Sequence, residues 1–147
     1  MIEKGCDLSW EDIQAGAQIP PVVLLVTYEK VAMTPMATWD LFPGHNNPMY
    51  AAAQGQKAIY LNTIALQGFC DRVLTDWTGP ATRITRRKMQ MRDSVFAGDT
   101  LTGRGRVANV YRDERGNVVI DAQIDLSTQN GLVCTASTSA IIRSRLT

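Results

Sequence analysis

The sequence predicts an α+β domain in which a curved antiparallel sheet wraps around one long central α-helix. Three observations carry that expectation. Residues 62–77 space their apolar side chains as one face of a helix. Residues 81–147 divide into strand-like segments separated by turn residues. The length of 147 residues, 45% apolar and 20% charged, suits one domain, 1–147, with a full core.

Residues 1–80 read as irregular and then helical. PPVVLLVTYEKV, residues 20–31, is a candidate fifth strand. PMYAAAQG, residues 48–55, reads as a short helical turn stopped by Gly55. In NTIALQGFCDRVLTDW, residues 62–77, Leu66, Phe69, Cys70, Val73, Leu74 and Trp77 follow three-four spacing. Asn62 or Thr63 can cap its start, and Gly79-Pro80 ends it.

Strands follow. RITRRKMQM, residues 83–91, is ambiguous in its facing, and TLTGRGRVANVYR, residues 100–112, is weakened by Gly103 and Gly105. After the turn RDERGN, VVIDAQIDLS alternates cleanly, with Ile120, Ala122, Ile124 and Leu126 on one face. Gln129-Asn130-Gly131 signals a hairpin into LVCTASTSAII. A sheet curled around one helix still has two edges, so edge-to-edge pairing of two domains is expected.

Composition excludes several classes. A formal net charge of +1 gives no field for nucleic acid. Cys6, Cys70 and Cys134 are odd in number and far apart, and with one histidine in the chain no metal site is expected. Reduced, buried thiols and a cytoplasmic location are the expectation. The polar N-terminus does not resemble a signal peptide, and PPVVLLV is too short to span a bilayer.

That histidine, His45, stands in MATWDLFPGHNNPMY, five residues after Asp40 with Pro43 and Gly44 between. Proline restricts the loop and glycine permits a tight turn, so the two side chains can converge. Alone, a loop histidine is a weak signal, and an Asp capping a helix is the structural alternative.

The wider pattern resembles the MaoC-like, R-specific enoyl-CoA hydratases (hydratase 2). The family has an Asp, then Asn-Pro, then a His five residues after the Asp, followed by a small helix ending in Gly. Here it reads Asp40-Leu-Phe-Pro43-Gly-His45 and then Asn-Asn-Pro-Met-Tyr-Ala51-Ala-Ala-Gln-Gly55. SVFAGDTLTGRGRV resembles the family's loop and following strand, and TQNGLVCTASTSAII its closing hairpin. The resemblance covers about residues 22–142. There are two departures: Phe42 replaces the family's Asn, and Leu61-Asn62 replaces a His-Gly pair at the central helix. QGQKAIYLN and VLTDWTGP are similar to the small subunit of heteromeric hydratases of steroid side-chain degradation.

The resemblance implies a hot-dog fold and a hydro-lyase that adds water to a trans-2-enoyl-CoA thioester, giving a (3R)-3-hydroxyacyl-CoA. No cofactor is implied beyond the coenzyme A thioester substrate. The implied assembly is a homodimer, or a heterotetramer with a second MaoC-like chain. Asp40 and His45 would hold and deprotonate the water. The first turn of the helix at Asn62 and Thr63 would offer a backbone N–H to the enolate oxygen. Phe42 would make the pocket wall more apolar, and Gly68 would leave room for a bulky acyl group, unless it serves close helix–sheet packing. Arg83, Arg86, Arg87 and Lys88 are candidates for the coenzyme A phosphates, or form a charged outer strand face. Trp39 and Trp77 are expected to pack against core or partner.

Two other functions fit the same fold. A hot-dog thioesterase would need an acidic residue on the central helix, and Asp71 and Asp76 fall on its polar face. A non-catalytic subunit that completes a partner's pocket is the other.

Overall fold

The computed structural model describes residue 8 and residues 10–142. The elements are β1 (Gln18–Leu25), α1 (Tyr28–Thr38), α2 (Pro48–Ala53), α3 (Thr63–Thr78), β2 (Arg83–Met91), β3 (Thr100–Arg112), β4 (Val118–Thr128) and β5 (Gly131–Ile142). Short 3₁₀ turns lie at Trp10–Asp12 and Pro43–His45. The strands form one antiparallel sheet in the order β1-β3-β4-β5-β2.

The long helix is α3. Asn62 caps it by accepting from the Ala65 N–H at 3.0 Å, and the Gly79 N–H closes it on Thr75 O at 2.8 Å. Leu66, Phe69, Cys70, Val73 and Leu74 are buried together with Ile120, Ala122, Ile124 and Leu126 of β4. Each such side chain contributes roughly 1.5–3 kcal/mol on burial. Trp77, expected on the same face, is half-buried against the core's rim. Cys70 and Cys134 are buried and free. The Cys70 thiol is pushed up by its hydrogen bond with Cys134 and by burial, so it stays protonated. Cys6 lies outside the described residues.

Gly103 and Gly105, which weaken β3 by propensity, are what lets α3 approach the sheet. A Cβ at Gly103 would run into Val73 Cγ2, and one at Gly105 would lie 2.8 Å from Ile19 Cδ1. The helix sits where side chains on that strand face would otherwise stand.

The candidate fifth strand needs correction. β1 begins earlier, at Gln18, and stops at Leu25, and Thr27 starts a helix instead of continuing the strand. Pro20-Pro21 are tolerated because β1 is an edge and the register shifts between Ile19 and Val22. α1 carries Pro35 in its interior. Proline cannot donate to Val31 O, and the Thr34 hydroxyl bonds that carbonyl instead, at 3.1 Å.

Among the described residues no helix is long and apolar enough to cross a membrane.

Candidate active site

Two anchors bring Asp40 and His45 together. The first is the end of α1. Trp39 adopts φ 54°, ψ 30°, and the Asp40 N–H then turns back to Pro35 O at 2.9 Å. The second is the turn Pro43–His45, with proline at its first position. Gly44 has no left-handed φ; its reason is space. A Cβ there would lie 2.6 Å from the Tyr60 hydroxyl and 2.7 Å from Phe42 Cε1. Asn47 then caps α2, accepting from the Met49 and Tyr50 N–H groups.

His45 is only 7% exposed. Its Nδ1 lies 2.8 Å from Tyr60 O, and a carbonyl can only accept, so Nδ1 carries a proton. In the neutral ring the lone pair is therefore on Nε2. Nε2 lies 3.5 Å from Asp40 Oδ2. That is too long for a good hydrogen bond and short enough for one water oxygen to touch both groups. Phe42 meets the imidazole edge-on at 5.5 Å between centroids, and Tyr60 does so at 4.9 Å. Burial, then Tyr50 and Asp40, push the Tyr60 phenol up, so its hydroxyl remains a donor and bonds Gln54 Oε1 at 3.2 Å.

Beside the histidine lies a depression of about 400 Å³, walled by Gln56, Tyr60, Leu61, Thr63, Arg92 and their neighbours. Thr63 is the first residue of α3, and its N–H has no acceptor within the helix. Asn62 caps the helix, as its sequence position allows. It is fully buried, and its amide is spent: Oδ1 on the cap, Nδ2 on Thr38 Oγ1 at 2.6 Å. Of the two residues at the start of α3, Thr63 lines the depression and Asn62 is buried.

A second, apolar groove of about 510 Å³ opens between α1, α3 and β1. Gly68 lines it, and a Cβ there would meet nothing within 4 Å, so close packing is not its reason. Leu61 lines both cavities. Thr38, two residues before Asp40, lines the groove as well.

The four cations of β2 do not form one cluster. Strand alternation sends Arg87 towards α3, where it pairs with Asp71 and donates to Gln67 Oε1 at 3.2 Å, while Arg83, Arg86 and Lys88 stay exposed. Trp39 is 85% exposed. Sequence reasoning missed Tyr60, whose carbonyl sets the imidazole tautomer, because that role belongs to the backbone. It also missed α1, whose signal was Thr27, an N-cap whose hydroxyl accepts from the Lys30 N–H at 3.3 Å.

No protein-family model matches the chain. The 3-oxo-4,17-pregnadiene-20-carboxyl-CoA hydratase beta subunit of Mycobacterium tuberculosis is 33% identical over 95 residues, 65% of this chain and 74% of the relative. Among solved structures, the ChsH1-ChsH2 complex from Mycobacterium tuberculosis has a chain that matches with a TM-score of 0.81 at 28% identity, over 88% of this chain and 98% of that one. The (R)-hydratase from A. caviae involved in PHA biosynthesis matches with a TM-score of 0.80 at 18% identity, over 90% and 99% of the two chains, a likeness of fold. A curved five-stranded sheet around α3, an Asp-His pair ahead of that helix and this relationship in sequence together place the chain in the family of MaoC-like (R)-hydratases.

Proposed function

We propose that this chain catalyses hydration of a trans-2-enoyl-CoA, and the reverse dehydration, through Asp40 and His45. The observation that carries the reading is the imidazole held at Nδ1 by Tyr60 O with Nε2 turned to the Asp40 carboxylate. Water held between the two would lose a proton to the dyad as its oxygen bonds the β-carbon. The thioester oxygen takes up enolate charge, and the Thr63 N–H at the positive end of α3 would stabilise it; its place in the wall of the depression supports that role. A proton delivered to the α-carbon completes the (3R)-3-hydroxyacyl thioester.

The acyl group we assign is bulky and apolar, plausible in size for a steroid. The supporting observations are the apolar groove, Gly68 opening onto it, and the substrate in the name of the Mycobacterium tuberculosis relative. We assign a second MaoC-like chain as partner, since the structural relative is itself a complex. A thioesterase is disfavoured: the two acids of the central helix are engaged, Asp71 by Arg87 and Asp76 by Arg72 at 2.9 Å.

The test follows loss of enoyl-thioester absorbance with the chain alone and with its partner. Asp40→Asn and His45→Asn should each lower the rate by at least about a hundredfold, the usual worth of a positioned acid or base. His45→Asn keeps a donor for Tyr60 O while removing Nε2, which matters because His45 is buried. Wild-type rates in either variant would remove the dyad from the mechanism, and if they occur only with the partner present they would leave the chain as a non-catalytic subunit.

A further inference from the structure

Asp40 and His45 are anchored to different parts of the chain, and one buried amide joins those parts. Tyr60 pairs with Phe96 in an antiparallel bridge, and the Leu61 N–H bonds Val95 O at 2.9 Å, so residues 60 and 61 are fixed in place ahead of α3. That segment holds the imidazole through Tyr60 O and leads into the free N–H of Thr63. Asp40 follows the end of α1 instead. Asn62 links the two. Its Oδ1 accepts from the Ala65 N–H, a group that can only donate, which leaves Nδ2 to donate to Thr38 Oγ1 at 2.6 Å. The Thr38 hydroxyl gives its own hydrogen to Thr34 O at 2.7 Å.

The end of α1 needs such a hold. Among the described residues Trp39 is the one non-glycine with a positive φ, at 54°. In that conformation a Cβ crowds the following carbonyl. The indole is 85% exposed, so it supplies little packing to fix the turn. A conformation of this kind persists where its surroundings over-determine it. The chain is bonded on both sides of Trp39: Thr38 to Asn62, and the Asp40 N–H to Pro35 O at 2.9 Å. The direction in which Asp40 leaves the helix therefore depends on Asn62. Asn62 has no exposed surface of its own, so it acts through its neighbours and touches no substrate.

We propose that Asn62 is a positioning residue: by clamping Thr38 it sets where the Asp40 carboxylate stands relative to His45 Nε2 and the Thr63 N–H. This rests on the hydratase reading above. A cap alone would be served as well by serine or aspartate. The amide is needed because one side chain must accept from α3 and donate to α1. Aspartate has no hydrogen to give, and serine is too short to cap α3 and reach Thr38 together.

The experiment measures kcat and KM for a long-chain enoyl-CoA, with the partner chain present, and amide hydrogen exchange by NMR. The variants are Asn62→Ser, Thr38→Val, the two combined, and Thr38→Ser. Each of the first two should lower kcat by about tenfold or more, since a misplacement of one ångström can cost about a hundredfold. KM should stay within about threefold, because valine matches threonine in shape on the groove wall and Asn62 lies behind it. The combined variant should fall no further than the slower single one, since both remove the same bond. Thr38→Ser keeps the hydroxyl and should restore kcat to within about threefold of wild type. In exchange, the Asp40 N–H should lose about tenfold or more of its protection in Asn62→Ser and Thr38→Val. The Asn47 N–H, bonded to Pro43 O at 2.8 Å in the same loop, should hold within about twofold, since local openings do not follow global stability. Thr38→Val decides the matter should Asn62→Ser fail to fold. An unchanged kcat, additive losses in the combined variant, a Thr38→Ser as slow as Thr38→Val, or equal loss of protection at Asn47 would overturn the proposal. Exchange at Asp40 that follows the clamp in a wild type that turns over no enoyl-CoA would keep the clamp and sink the hydratase reading; turnover indifferent to the clamp would do the reverse.

Discussion

Changing Gly103 to alanine should destabilise the protein, although alanine is the better strand residue by propensity. The new Cβ would overlap Val73 Cγ2 and press Leu126 Cδ2 and Phe69 Cε1 at 3.2 Å each. Carbon atoms rest at about 3.5–4.0 Å, so Val73 would have to move by an ångström or more. Val73 is fully buried and β-branched, with one favoured rotamer in a helix. The relief must come from α3 lifting off the sheet. Overpacking of this kind costs about 1–3 kcal/mol, and loss of glycine entropy in the unfolded chain returns about 0.4–1 kcal/mol. A net loss of about 1–2 kcal/mol corresponds, for a chain of this size, to a Tm lower by roughly 2–8 °C. Thermal and urea unfolding followed by circular dichroism would read it. Adding Val73→Ala should recover part of the loss, a favourable coupling of about 0.5–3 kcal/mol in a double-mutant cycle. A Gly103→Ala chain as stable as wild type, or the absence of coupling to Val73, would refute the view that glycine is there to admit the helix.

Gly68 should behave in the opposite way. Gly68→Leu enters open space, so helix propensity should raise stability by up to about 1 kcal/mol, while kcat/KM for long acyl thioesters falls by about fourfold per displaced methylene, measured against a four-carbon substrate. Thr38→Val leaves the buried Asn62 amide without its acceptor and should cost about 1–3 kcal/mol in urea unfolding. Hydrogen bonds from Asn117, side chain first, hold the Asp113 carboxyl below its usual range. A depressed folded value means the stabilisation is present above the ordinary aspartate pKa of ~3.9 and lost as pH falls through the folded value, so Asp113→Ala should lower Tm at neutral pH and converge with wild type in acid. Light scattering at micromolar concentration should give a dimer or tetramer, alone or with a partner, because β1 and β2 each leave one edge unpaired; a monomer that hydrates substrate would contradict this.

The elements that touch the core on one side only were legible in the sequence. α3 and β4 bury one face each, and their periodicities appear without distortion. α1 was not legible, for a physical reason. Its buried residues are Val31 and Pro35, and much of the rest lines an open groove or faces solvent. No apolar stripe forms, and Pro35 argues against a helix unless the Thr34 hydroxyl is counted. The facing of β2 was obscured because a cation points to each side and the register shifts between Ile84 and Arg86. Gly103 and Gly105 stand two apart on one strand face, a pattern that weighs against a strand by propensity and for a helix docking site by geometry. Asp40 and His45 were visible as a spacing. Their anchoring by Pro35 O and Tyr60 O was not, since backbone carbonyls leave no trace in residue identity.

The left-handed turn at Trp39 has a practical side. Of the three tryptophans, Trp10 lies under the Arg112 guanidinium at 4.7 Å, Trp77 is half-buried against the core, and Trp39 stands in water one residue before Asp40. The first two indoles report on the ends of the fold and the third on the dyad loop. With phenylalanine at positions 10 and 77, the remaining emission would come from a fluorophore whose backbone conformation sets where Asp40 points. Its colour would shift towards the blue whenever a chain or a ligand covered that loop, giving an optical readout that does not depend on turnover.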